Sequence, residues 1–353
     1  MAGATIYDVA AAAGVSIKTV SRVVNGEPNV SAAVKARVDK AVSDLGYRRS
    51  LSARSLAGAS SSIIAALVDA ELTIEHWRSG RGNDYLSRLE LGALMELRQA
   101  DYHLMVELVD HASPTLKRDL AALLDSIRPE GVLLTPPNSD HPVVLDVLDA
   151  AGVAYARIGS ERDLHRGTNV AMDERRAARD MTEHLIGLGH RQIGFITGPV
   201  AYAASQRRLQ GFRDAMTEHG LEIVEAAIAE GDFTFPSGVA GADQILNQAP
   251  ETTAIFASND DTALGVLQAA SVRGLIAPDD LSVAGFDDTP SAMFSTPALT
   301  TIRQPVAEMA AAAARRLTPV LRADLPEEPP GQTVLVPYAL IVRASTGPAR
   351  EVA

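Results

Sequence analysis

The chain has 353 residues, 46% of them hydrophobic, enough to bury more than one core and to fill roughly two or three domains. It has no cysteine, which excludes disulfides and thiolate chemistry, and its eight histidines fall at no metal-ligand spacing, so no metal and no cofactor is expected. No apolar run reaches about 18 residues, and MAGATIYDVAAAAG has no basic stretch ahead of an apolar one. Neither a membrane span nor a secretory signal is expected, and the chain is read as cytoplasmic. The formal net charge is −12. Residues 1–58 hold eight cations and four anions, a net of +4, so the remainder carries −16. A basic head on an acidic body suits a small polyanion-binding module attached to a larger domain.

In chain order, TIYDVAAAAGVSIKTVSRVVNG reads as two short helices around a tight turn. Thr5 is an N-cap with Asp8 three residues on, Gly14 ends the first helix, Ser16 caps a second from Ile17 to about Val24, and Asn25-Gly26 stops it. A third helix runs from the Ser31 cap to Leu45-Gly46, with Val34, Val38, Ala41, Val42 and Leu45 on one face. On the second helix Lys18 and Arg22 are four apart beside Ile17 and Ser21. Such a face is either merely solvated or suited to a DNA major groove, where Arg and Lys reach guanine and an apolar tip touches a thymine methyl. Ser16, Thr19 and the helix N-terminus would position phosphates. SARSLAGASSS, residues 52–62, opens with six helix-forming residues and one larger apolar side chain, Leu56. Isolated helices need ~12–15 residues, so this one requires outside support.

From Ser62 onward short apolar runs (63–68, 102–109, 131–137, 153–159, 193–199, 253–259 and 281–288) alternate with amphipathic segments. Near-continuous apolar strands between helices argue for doubly wound parallel sheets with a ligand at the strand C-termini. The phosphate-binding and nucleophile patterns G-x-x-x-x-G-K-[ST], G-x-G-x-x-G and G-x-S-x-G are all absent, so no enzyme is expected.

TIYDVAAAAGVS, TVSRVVNGEPNVS and LGYRRSLSARSLAG resemble the helix-turn-helix and hinge of the lactose/galactose repressor family, with caps, turn glycine, reading face and hinge in register. The resemblance implies Ile17, Lys18 and Arg22 as base-reading positions and Leu56 as the hinge leucine that wedges into the minor groove of a pseudo-palindromic operator when two hinge helices pair across a dimer. The DNA-binding set is Thr5, Ser16, Ile17, Lys18, Thr19, Ser21, Arg22, Asn25, Arg54 and Leu56. The order of apolar runs is similar to the periplasmic-binding-protein-like, two-lobed effector domain of the same family. The expected fold is therefore α/β: a three-helix head and hinge helix, then a doubly wound parallel effector domain. The expected divisions are 1–49 for the head, 50–61 for the hinge, 62–345 for effector binding and dimerisation, and 346–353 for a tail. Lobe one takes 62–171 plus 303–335, and lobe two the remainder.

For the cleft the resemblance implies Arg208 and Asp287 as effector contacts, and Asn259 with Asp260 ends a strand there. Guanidinium and carboxylate can each bond two adjacent hydroxyls of a sugar. Read alone, the same residues are structural: Asp260 and Asp261 as helix caps, Asp287-Asp288 as a turn cap, Arg208 as a surface cation. His190 reads as structural. The connection DAELTIEHWRSGRGNDYLSRLELG is longer than the family's usual one and holds the chain's one tryptophan, Trp77, which either lids the cleft or anchors the loop. The expected effector-binding set is Trp77, Tyr85, Thr135, Arg208, Asn259, Asp260 and Asp287. The whole reads as a dimeric DNA-binding regulator, a repressor controlled by a sugar. TPPNSD, ASNDD and GFDDTP are similar to a family branch associated with β-glucosides. The alternative is a periplasmic-type solute-binding protein for sugar transport.

Overall fold

The computed structural model describes residues 4–24, 30–47, 61–79, 84–323, 325 and 331–350. Its contacts divide the chain into two units, Met1–Ser62 and Ile63–Ala353. The calls on Asn25, Arg54, Leu56 and the hinge helix lie outside the described residues.

In the first unit, α1 (Ile6–Ala13) opens with a capping box: the Thr5 hydroxyl accepts from the Asp8 N–H at 3.4 Å, and the Asp8 carboxylate accepts from the Thr5 N–H at 2.7 Å. Gly14, at φ +62°, closes the helix in the left-handed region. Helix α2 (Ile17–Val24) starts with the Ser16 hydroxyl accepting from the Thr19 N–H at 3.1 Å, and α3 (Ala32–Leu45) starts from Ser31. Val9, Val20 and Val38, one from each helix, are wholly buried and form the centre of this core. Arg37, on α3, donates to the carbonyls of Ala13 and Gly14 and so ties the turn down. A Cβ on Gly14 would stand 2.9 Å from the Arg37 guanidinium, in a conformation L-residues avoid. Gly14→Ala should therefore destabilise the head by about 1–2 kcal/mol, seen as roughly 5- to 30-fold faster hydrogen exchange in α1 and α2.

The second unit is built on two parallel sheets. The first contains β1 (Ile63–Asp69), β2 (His103–Val109), β3 (Gly131–Leu134), β4 (Ala154–Ile158), β5 (Thr168–Ala171) and, late in the chain, β11 (Thr333–Leu335), in the order β11-β5-β4-β3-β1-β2. The second contains β6 (Ile193–Ile196), β7 (Ile228–Ala229), β8 (Ala254–Ala257) and β9 (Ser282–Ala284), in the order β7-β6-β8-β9. Strands β10 (Thr301–Arg303) and β12 (Ala339–Ile341) pair antiparallel as a separate ribbon. The seven apolar runs become β1, β2, β3, β4, β6, β8 and β9. The short strands β5, β7, β10, β11 and β12 were not foreseen, because two to four residues carry too little periodicity.

Both faces of each sheet are covered, which is why the strands read as continuous apolar runs. In β1, Ile64 and Ala66 enter one core while Ala65 and Leu67 enter the other. In β8, Ala254 and Phe256 face one way, Ile255 and Ala257 the other. The helices of this unit are α4 (Ala70–Ser79), α5 (Asp84–Leu97), α6 (Leu116–Ile127), α7 (Pro142–Ala151), α8 (Glu174–Gly187), α9 (Ala203–Glu218), α10 (Phe235–Gln248), α11 (Asp260–Val272), α12 (Pro290–Phe294), α13 (Val306–Leu317) and α14 (Pro319–Arg322). Helices α5 and α13 cross so closely that a Cβ on Gly92 would lie 2.0 Å from the Ala307 carbonyl oxygen. The segment expected as a tail is docked as far as Ala349: the Gly347 N–H donates to the Ser282 hydroxyl at 3.0 Å, and the Ala349 N–H to the Leu188 carbonyl at 3.0 Å.

Candidate functional site

On the head, the α2 side chains divide as the sequence suggests. Val20 and Val23 are buried, while Ile17 (41% exposed), Lys18 and Arg22 face solvent. Ile17 is thus a large apolar side chain left exposed next to Lys18 on the face that also carries Arg22. Ser16 and Thr19 bond each other at 2.9 Å at the start of the helix, Thr5 caps α1, and Ser21 is half-buried.

In the second unit a cavity of about 150 Å³ opens where the C-terminal ends of both sheets meet. The first sheet contributes Asp69 at the end of β1, Thr135 after β3 and Gly159 after β4; the second contributes Asn259 after β8 and Asp287 after β9. Tyr85, Tyr202 and Phe233 supply aromatic wall. Arg208, only 3% exposed, projects from α9 with its Nε donating to Glu174 at 2.8 Å, its Nη1 donating to the Ser258 carbonyl at 2.5 Å, and its guanidinium carbon 3.6 Å from the centre of the Phe286 ring. Asn259 caps α11: its Oδ1 accepts from the Thr262 N–H at 3.0 Å and its Nδ2 donates to the Phe233 carbonyl at 2.9 Å.

Asp287 and Asp288 both have positive φ, +123° and +55°, an arrangement that costs energy and must be held in place. Arg88, on α5, holds it, donating Nη1 to the Asp287 carbonyl at 2.7 Å and Nη2 to the Asp288 carbonyl. The Gln304 amide donates to the Asp287 carboxylate. Arg303 and Arg343 clamp the Asp288 carboxylate at 2.6 and 2.5 Å. Burial pushes the Asp287 carboxyl from its ordinary 3.8 up to about 7, against the pull of Arg208 and Gln304, with Asp261 and Glu174 adding to the rise. Burial also pushes the Tyr85 hydroxyl up, so it stays a neutral donor.

Of the expected effector residues, Tyr85, Thr135, Arg208, Asn259 and Asp287 line this one cavity. Two do not. Asp260 is wholly buried behind it, accepting from the Thr289 N–H at 2.7 Å and the Thr301 hydroxyl at 2.6 Å, which leaves it as an internal brace. The expectation of a long loop around Trp77 is corrected: residues 70–79 are the helix α4. Leu72, Thr73 and His76 turn to the cavity, while Trp77 is 76% exposed and lies outside its lining. His190 is structural, as read: its ring bonds Thr253 at 2.8 Å and Ser282 at 3.0 Å. Sequence reasoning missed Asp69, Glu174, Tyr202, Phe233 and Gln304 in the wall and Arg88 behind it. Their partners are over a hundred residues away in several cases, such as Arg88 with Asp287, separated by 199 positions.

Residues 5–50 match the model of bacterial regulatory proteins, lacI family, and residues 182–346 that of the periplasmic binding protein-like domain. The HTH-type transcriptional regulator DegA of Bacillus subtilis (strain 168) is 33% identical over 347 residues, covering 98% of each chain. Among solved structures, a transcriptional regulator CelR–cellobiose complex superposes with a TM-score of 0.72 at 30% identity, covering 97% of this chain and 99% of that one. The lac repressor dimer bound to operator and the anti-inducer ONPF superposes with a TM-score of 0.79 at 27% identity, covering 98% and 100%. A helix-turn-helix head and a doubly wound body with a cleft at its strand ends, matched along their whole length by regulators of one kind, place this chain in the lacI family of DNA-binding bacterial transcriptional regulators, which are not enzymes.

Proposed function

We propose that the protein is a homodimeric repressor whose affinity for a pseudo-palindromic operator is set by a sugar of the β-glucoside class bound in the cleft. The observation that carries this reading is the convergence of a guanidinium, six carboxylates and three aromatic rings on one cavity at the ends of both sheets. Hydroxyls would bond the polar groups and sugar C–H faces would pack on the rings. The likeness to a regulator solved with cellobiose supports the β-glucoside class. Within this reading residues 1–49 read the operator, 50–61 form the hinge with Arg54 and Leu56 at the minor groove, and Asn25 completes the DNA-contacting set. The solute-binding alternative leaves the three-helix head without a task.

A second copy has surface to dock on: Leu91 and Met95 on α5, Leu108 on β2, Val272 on α11 and Phe294 on α12 are large, apolar and at least half exposed. Coupling would run through closure of the two halves. Tyr202 donates to the Asp69 carboxylate across the cleft, Arg207 pairs with Glu161 at 2.6 Å, and Arg88 reaches the Asp287-Asp288 backbone. A ligand that favours one closure state shifts the population that fits DNA.

Melting temperature against a panel of mono- and disaccharides tests the effector reading. A saturable rise with cellobiose or another β-glucoside is expected, and a rise confined to non-sugars would refute it. Ile17→Ala should lower operator affinity about tenfold or more with an unchanged melting temperature, because the side chain is exposed in the free protein. A fall in melting temperature without a loss of binding would make Ile17 a core residue instead.

A further inference from the structure

We infer that the effector carries no phosphate or carboxylate group, an inference resting on the cleft being the effector site. Six carboxylates line the cavity: Asp69, Asp84, Glu161, Glu174, Asp261 and Asp287. Arg208 is the one Arg or Lys among the described lining residues. Its Nε and Nη1 are engaged by Glu174 and the Ser258 carbonyl and its face by the Phe286 ring, so its charge is already compensated by a buried carboxylate before any ligand enters.

Anions have a second customary seat, the N-termini of helices at strand ends. At α4, α8 and α11 the chain's own side chains fill those seats; α9 starts at Tyr202 without a side-chain cap, but the Tyr202 hydroxyl holds the Asp69 carboxylate. The Asp69 carboxylate accepts from the Glu71 N–H at the start of α4 at 3.1 Å. Asp173 accepts from the Arg176 N–H at the start of α8 at 2.9 Å. At α11 the Asn259 cap is followed by Asp260 and Asp261 in the first turn, which places negative charge where a phosphate would need to sit. Of the guanidiniums just outside the lining, Arg207 on α9 is paired with Glu161 at 2.6 Å and Arg88 is committed to the Asp287 and Asp288 carbonyls. A phosphorylated sugar therefore meets like charge and no uncompensated Arg or Lys among the described lining residues, while an uncharged sugar finds carboxylates that accept its hydroxyls.

The test uses the full-length protein at fixed ionic strength. Calorimetry compares glucose with glucose 6-phosphate and cellobiose with its 6-phosphate, and a thermal titration adds inorganic phosphate against a chloride control. The phosphorylated member of any binding pair is expected to be at least about a hundredfold weaker, and phosphate should give no saturable shift. Glu161→Gln, which leaves Arg207 uncompensated beside the cavity, should narrow the gap about tenfold. Equal or tighter binding of a phosphorylated sugar, or a saturable rise with inorganic phosphate, overturns the inference. If neither sugar of either pair binds while phosphate is also rejected, the β-glucoside reading fails and the exclusion of anions stands.

Discussion

Arg208→Ala is expected to destabilise the Ile63–Ala353 unit by about 3–5 kcal/mol, read as a lower urea midpoint, because it breaks a buried ion pair from one side. The removed group is almost wholly buried, its Glu174 partner is 12% exposed, and the Ser258 carbonyl and the Phe286 face lose their contacts at the same time. Family resemblance alone casts Arg208 as a ligand contact whose loss silences the effector response and nothing else. The geometry makes it a structural strut as well, so a weak effector response in this variant is uninformative unless the fold is monitored. An unchanged urea midpoint would mean that the Arg208 network contributes little to the folded state.

Asp287→Asn should do the opposite: lower effector affinity about 10- to 100-fold and raise stability at neutral pH. Because burial raises the Asp287 carboxyl from 3.8 to about 7, the folded chain binds more protons than the unfolded chain between those values. Its contribution to stability therefore falls as pH rises from about 4 to about 7 and stays at its low level above. Asparagine removes that loss, so the gain in the variant should be absent near pH 4 and complete above pH 7, on the order of 1–3 kcal/mol. Asp260, whose carboxyl is pushed up by burial and then by the Asp287 charge, is relieved in the same step. A variant no more stable than the wild type at pH 8 would show that Asp287 is not strained by its site.

Much of the local structure was legible in the sequence because its causes are local. Thr5 with Asp8, Gly14 and Ser16 fix the head's turns within a few residues, and runs such as IIAALV announce strands covered on both faces. The cleft was legible where a residue follows a strand, as Thr135, Asn259 and Asp287 do, and where the family resemblance marked a position, as it did Arg208. Arg88, Gln304 and Tyr202 gave no signal, since what makes them matter is a partner brought near by folding. Trp77 was misread for a related reason. Its polar, glycine-containing surroundings suggested a loop, but the first ten residues after β1 contain good helix formers and fold as α4, which sets the indole outside the cavity lining. Asp260 shows that strand-end position is insufficient: one residue after Asn259, it turns inward to Thr289 and Thr301.

The most direct measurement of the central claim is fluorescence anisotropy of a duplex, selected from genomic fragments by the full-length protein, titrated at several salt concentrations with and without cellobiose. The account expects binding that weakens steeply with salt, as phosphate neutralisation by the basic head requires, and an operator affinity that cellobiose or a related β-glucoside changes saturably in wild type, with the midpoint moved to about 10- to 100-fold higher sugar in Asp287→Asn. Failure to enrich any duplex, or an operator affinity that no sugar alters while the same sugar binds the cleft, would contradict it.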